Sequence, residues 1–116
     1  MKKEVIDFED FEITYYIGQN SRENFDVIDK GFEDDLWFHS KDESSCHVVA
    51  LLPKDITFEK KEINMIIKEG ALLCKMNTNK ISNLSNVPII YTEIKNLIKT
   101  KQKGTVLTQN TKTIIV

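Results

Sequence analysis

Glycine, proline and cysteine are all scarce in this chain of 116 residues, at four, two and two. The glycines stand singly at Gly18, Gly31, Gly70 and Gly104. No Gly-rich loop is available to cradle phosphates, so nucleotide hydrolysis has no support. The two cysteines, Cys46 and Cys74, allow one pairing at most, which is not the framework of a disulfide-rich secreted module. Reduced thiols in a cytoplasmic protein are the expected state. No apolar run approaches the roughly 18–20 residues that a membrane span needs. The opening "MKKEVIDFEDFE" turns acidic straight after its lysines and offers no apolar stretch for a secretory signal. Arginine is scarce too: Arg22 stands alone.

What is present fits one folded unit over residues 1–116. Hydrophobic residues make up 41% and charged residues 29%, the ordinary balance of a soluble globular protein. No repeat, low-complexity tract or linker divides the chain. Its net charge of −2 conceals an asymmetry. Residues 1–58 carry 6 basic and 14 acidic side chains, whereas residues 59–116 carry 10 and 4. A near-neutral average can therefore hide a basic face, and the C-terminal half is where it belongs.

The periodicity gives the elements. "FEITYYIG" places Phe11, Ile13, Tyr15 and Ile17 on one face of a strand that Gly18 ends. "NSRENFDVIDKGF" predicts a short helix with Asn20 as N-cap and Glu23 at capping-box spacing. Phe25, Ile28 and Phe32 are expected on its inward side, with Gly31 as the stop. "DLWFHS" predicts a strand with Leu36 and Phe38 on one face and Asp35, Trp37 and His39 on the other. The turn "KDESS" leads back into "HVVALLP", apolar on both faces and therefore central. Both histidines, His39 and His47, should meet at one end of this hairpin.

A longer helix is expected from about Phe58, with Ile63, Ile66, Ile67, Gly70, Ala71 and Cys74 at helical spacing. "NTNKISNLSN" reads as a loop and "VPIIYTEI" as a strand entered at Pro88. "TVLTQ" and "KTIIV" read as two strands turning around Asn110, so a terminal hairpin is expected. The sum is an α+β domain, with a mainly antiparallel sheet of about six strands and two helices.

The chemistry in this pattern is limited. Cys46 and His47 are neighbours in a strand, so their side chains diverge, which argues against a nucleophile–base pair. No C-x-x-C or H-x-x-x-H spacing supports a metal site, and no cofactor is expected. Each histidine alone is compatible with a hydrogen-bonded residue at a sheet end. Nucleic-acid binding needs stacking faces and cations. Trp37 and His39 on one strand face would supply the first; Lys75, Lys95, Lys99, Lys101 and Lys103 would supply the second. The pattern leaves equally open a Trp37 in the core and lysines on a solvated surface.

Five segments in order, "YYIGQNSRENFDVI", "EDDLWFHSKDESSCHVVALL", "LLCKMN", "VPIIYTEIKNLIK" and "KGTVLTQNTKTIIV", resemble the NFACT-R domain family, formerly a domain of unknown function. The likeness runs from about Tyr15 to Val116, and its paired D-L-W-F-H and S-x-H-V elements are its most specific part. Matching positions are Gly18, Asn20, Asn24, Asp35, Trp37, Phe38, His39, Ser45, His47, Lys75, Tyr91 and Thr92.

The resemblance implies a non-catalytic RNA-binding domain that acts on tRNA or ribosomal RNA, alone or beside the large ribosomal subunit in quality control. Asn20, Asn24, Trp37, His39, His47, Lys75, Lys95, Lys99 and Lys101 are then the candidate contacts. Nothing matches the family's N-terminal domain or long coiled coil, so a stand-alone domain is expected. Alternative readings are a module docking on a ribosome-associated factor through the acidic first half, and a tRNA-modification accessory with a reactive Cys46 or Cys74. A DNA-binding module is a further one, after the family's coiled-coil relative. With so little arginine, affinity should be modest and salt-sensitive.

Overall fold

Strands that are apolar on both faces demand cover on both faces, and that requirement organises the molecule. In the computed structural model, which describes residues 1–116, the chain opens with β1 (Lys2–Asp7), β2 (Glu12–Gly18) and α1 (Ser21–Lys30). The hairpin β3 (Leu36–Ser40) and β4 (His47–Leu51) follows, then α2 (Lys60–Met76), α3 (Asn79–Ser82) and β5 (Pro88–Glu93). A 3-10 turn at Ile94–Asn96 leads to β6 (Leu97–Lys99), β7 (Val106–Thr108) and β8 (Lys112–Ile115).

Six strands form one antiparallel sheet in the order β1-β2-β4-β3-β5-β8, and β6 and β7 form a separate two-stranded ribbon. The α+β expectation holds, with β4 central as its two apolar faces require. Against one face lie α2 and α3. Leu36, Phe38, Val48 and Ala50 meet Ile66, Ile67, Ala71 and Cys74 there. Across the other face lie α1 and the ribbon, where Trp37 and Val49 meet Val27, Ile28 and the half-buried Leu97 and Val106. Each fully buried aliphatic side chain contributes about 1.5–3 kcal/mol, so the two faces together hold the layers. No helix is long and apolar enough to cross a membrane.

The first helix starts as its sequence predicts. Asn20 Oδ1 accepts the Glu23 N–H at 2.9 Å, and the Glu23 carboxylate accepts the Gln19 N–H at 3.0 Å. Its buried stripe is Asn24, Val27 and Ile28; of the expected Phe25, Ile28 and Phe32, Ile28 is buried and Phe25 half-buried, but Phe32 is not inward. Phe32 stands beyond the Gly31 cap, out of helical phase, and is 67% exposed.

Two further expectations are corrected, and one strand not read from the sequence is added. The opening segment forms an edge strand whose charges hid it; charged side chains are what such an edge needs. The polar stretch after α2 contains α3, anchored by the buried Ile81. The terminal hairpin does not form. The turn at Asn110 is there, with φ of 53°, but β7 pairs with β6 and β8 with β5. Thr92 Oγ1 lies 3.0 and 3.2 Å from the Gln109 and Asn110 carbonyls and ties that turn to β5.

Candidate nucleic-acid interface

Sheet register assembles the site. Gly18 on β2 stands opposite His47 on β4, and Ile90 on β5 opposite His39 on β3. Phe38 pairs with Val48, so the next step along the hairpin sets His39 beside His47. A row of Gly18, His47, His39 and Ile90 therefore crosses the sheet on the α1 side. Gly18 is needed in that row because Asn24 of α1 fills the space over it. A Cβ there would lie 2.6 Å from Asn24 Oδ1. The same oxygen accepts the His47 backbone N–H at 3.1 Å.

The two imidazoles and Trp37 form one aromatic cluster. The Trp37 and His39 rings are parallel within 5° at 5.7 Å between centroids. His47 stands edge-on to both, at 5.3 Å from Trp37 and 4.9 Å from His39. Trp37 Nε1–H donates to His47 Nδ1 at 3.1 Å. His47 Nδ1 is therefore unprotonated, and the neutral ring carries its proton on Nε2. His39 Nδ1 lies 2.6 Å from the Ser40 carbonyl, which can only accept, so His39 carries its proton on Nδ1 and leaves Nε2 as an acceptor.

Burial, and secondarily the neighbouring His39, push the His47 pKa down to about 3. Burial also lowers that of His39, with the Ser40 contact opposing it. Both rings are neutral at pH 7.

A pocket of about 480 Å³ opens over this cluster. Its walls are the N-terminal turn of α1 (Ser21, Asn24), the β3–β4 turn (Lys41 to Ser45) and the β6–β7 loop (Gln102 to Thr105). The loop leans on α1 through Gly104, whose φ of 85° favours glycine. A Cβ there would sit 2.9 Å from Ser21 Cα. No buried side-chain nitrogen or oxygen lacks a partner. The remaining Nε2 of each histidine therefore reaches solvent, through the pocket that both rings line.

The sequence candidates divide accordingly. Asn24, Trp37, His39 and His47 converge on the pocket. Trp37, though, is only 1% exposed; it backs His39 and orients His47 rather than offering a free stacking face. Asn20 lies at the α1 cap with its Oδ1 committed to Glu23. Lys75 is on the far layer, its Nζ 3.3 Å from the Val116 carbonyl. Lys95 is paired with Asp34 and Glu93. Lys99 is paired with Asp29 and lies over the Phe25 ring. Lys101 is exposed on the loop beside the pocket.

The family-matched Asp35 is structural: its carboxylate accepts the N–H groups of Phe32 and Leu52, both at 2.8 Å. Ser45 Oγ holds the β3–β4 turn by accepting the Ser40 N–H at 2.9 Å. Cys46 and Cys74 are buried in the α2-side core, each thiol donating to the other's carbonyl at 3.4 and 3.5 Å. Contact with Cys46 and burial push the Cys74 thiol well up.

Lys41, Ser21 and Gln102 line the pocket without having been singled out in the sequence. Lys41 follows the "DLWFHS" strand directly, a signal that was available. Ser21 and Gln102 meet only through the fold-back of the β6–β7 loop.

A family model described as the NFACT protein RNA binding domain matches residues 6–114. The chain belongs to this NFACT-R family. Coiled-coil domain-containing protein 25 of Danio rerio is 36% identical over 87 residues, which cover 75% of this chain and 42% of that protein. Its homolog in Dictyostelium discoideum is 38% identical over 103 residues, 87% of this chain and 50% of the relative. The NFACT-R chain thus spans about half the length of the curated relatives it matches, or somewhat less. Among solved structures, the C-terminal part of the fibronectin/fibrinogen-binding protein from Streptococcus suis superposes with a TM-score of 0.76 at 25% identity. That match covers 98% of this chain and 43% of the other.

Proposed function

We propose that this NFACT-R chain is a non-catalytic RNA-binding domain that engages tRNA or ribosomal RNA at the His39–His47 pocket. The observation that carries the reading is the convergence of two neutral imidazoles, each with a free Nε2 edge, beneath the exposed Lys41 and Lys103 in one pocket. The family's printed description supports RNA as the ligand. A hydrogen-bonding pocket whose lysines stand among Asp42 and Glu43 at an exposed rim suits a ligand with phosphates outside and bases inside. Such RNAs place the domain with the translation machinery of the cytoplasm, beside the large ribosomal subunit in quality control. Chemistry of its own is not part of the proposal, because Cys46 and Cys74 lie in the opposite core and no thiol faces an imidazole base.

Fluorescence anisotropy against tRNA, single-stranded RNA and duplex DNA, across a salt series, tests this. The expected result is salt-dependent binding of RNA that weakens in His39→Ala. Preference for duplex DNA would assign the pocket to DNA. Absence of binding to all three would remove the nucleic-acid reading and favour docking on a protein partner.

A further inference from the structure

The pocket's hydrogen-bonding groups are fixed more narrowly than RNA binding alone requires. Ser40 commits His39 to an acceptor at Nε2, and Trp37 commits His47 to a donor at Nε2–H. The two rings are 4.9 Å apart at their centroids and share one cavity. We propose that this cavity takes a single unpaired RNA base and reads its Watson–Crick edge through His39 Nε2 as acceptor and His47 Nε2–H as donor. The inference rests on the RNA-binding reading above and narrows its ligand to an extruded base.

Three observations favour a base over a phosphate. A phosphate offers acceptors alone at neutral pH and would set its charge against the His39 lone pair. A base edge places a donor next to an acceptor, which is what this pair complements. The charges of the lining also cancel: Lys41 and Lys103 are offset by Asp42 and Glu43. A phosphate cradle would carry an excess of cations or of backbone N–H groups. The volume of about 480 Å³ falls in the range of small-molecule sites, whereas a duplex hides the edge in question. Lys101, just outside on the loop, is placed for the flanking phosphates. Both polar groups are held by bonds within the protein, so little reorganisation accompanies binding.

The test uses the full chain with labelled short RNAs of each base, an abasic strand of equal length, and an RNA duplex. Anisotropy gives affinity, and the fluorescence of Trp37, the sole tryptophan, reports on the pocket. At least one base-bearing strand is expected to bind roughly tenfold or more above the abasic strand, with a change in Trp37 emission. His39→Phe, which keeps a ring over Trp37 but lacks the acceptor, is expected to collapse that ratio. Imidazole 15N shifts of the wild type, titrated with nucleoside monophosphates, carry the test even where the variant misfolds; both Nε2 signals are expected to move. Equal binding of the abasic strand or the duplex would overturn base reading while RNA binding stands. Failure of every RNA to bind would overturn both.

Discussion

Trp37 Nε1–H donates to His47 Nδ1 across 3.1 Å, joining β3 to β4 through side chains that are 1% and 2% exposed. One bond satisfies the indole and fixes the imidazole tautomer. Trp37→Phe keeps an aromatic ring in the core but leaves a buried acceptor unpaired, at a cost of about 1–3 kcal/mol, before any loss from the smaller ring. Denaturant unfolding measures that cost, and the His47 15N shifts report whether the proton moves from Nε2 to a mixture of sites. Unchanged stability with an unchanged tautomer would mean that the bond does neither job.

Acid should weaken the fold through the same histidine. Burial holds His47 to about 3 in the native state, against 6.5 for an ordinary imidazole. Between those values the unfolded chain binds the extra proton, so stability rises with pH. It is complete above about 6.5 and is lost progressively as pH falls toward 3. The slope from His47 alone approaches about 1.4 kcal/mol per pH unit, and His39, also lowered, adds in the same direction. Urea unfolding at pH 7, 6 and 5, a range in which most carboxylates stay ionised, should show falling midpoints. A flat profile over that range contradicts the burial argument.

Local pattern reached the hairpin and stopped at its surroundings. Alternation in "DLWFHS" assigned Trp37 and His39 to the same face and brought His39 to His47, because strand geometry has a period of two. It could not say that α1 and the ribbon cover that face, which is a long-range event, and so left open whether Trp37 was core. The neutral tautomers follow from Trp37 and Ser40 as partners, neither of which spacing reveals. The lysines were legible as a charge excess only. Lys75, Lys95 and Lys99 turned out to be engaged elsewhere, and the loop carrying Lys101 and Lys103 reaches the pocket through Gly104 against Ser21. The terminal strands were recognised singly, but each found a non-local partner, and pairing choice is not written in either strand alone.

The space above Gly18 is as constrained as the tautomers. Gly18→Ala drives a methyl into Asn24 Oδ1 and lies 2.9 Å from the Asn24 backbone nitrogen, so side-chain rotation alone cannot relieve it. A loss of about 1–3 kcal/mol is expected. Asn24→Ala at the unaltered Gly18 removes the acceptor from the His47 N–H, a loss of similar size. The two losses should fall short of additivity in the double variant, because both act on one contact. Full additivity in thermal or denaturant unfolding would show that Asn24 and Gly18 act independently.

The ion pairs sort the lysines by their expected effect on RNA affinity. Lys101 and Lys103 are exposed on the loop at the pocket and make no salt bridge. Lys95, by contrast, is held by Asp34 and Glu93, which hydrogen-bond it and raise its pKa. Each phosphate contact to single-stranded RNA contributes about 0.7 to the slope of log affinity against log salt. Lys101→Ala with Lys103→Ala should therefore reduce the magnitude of that slope by about 1.4, whereas Lys95→Ala should leave it unchanged. Anisotropy titrations at several salt concentrations separate the two cases. A Lys95→Ala variant that flattens the slope, with the loop variant behaving as wild type, would move the phosphate path away from the pocket.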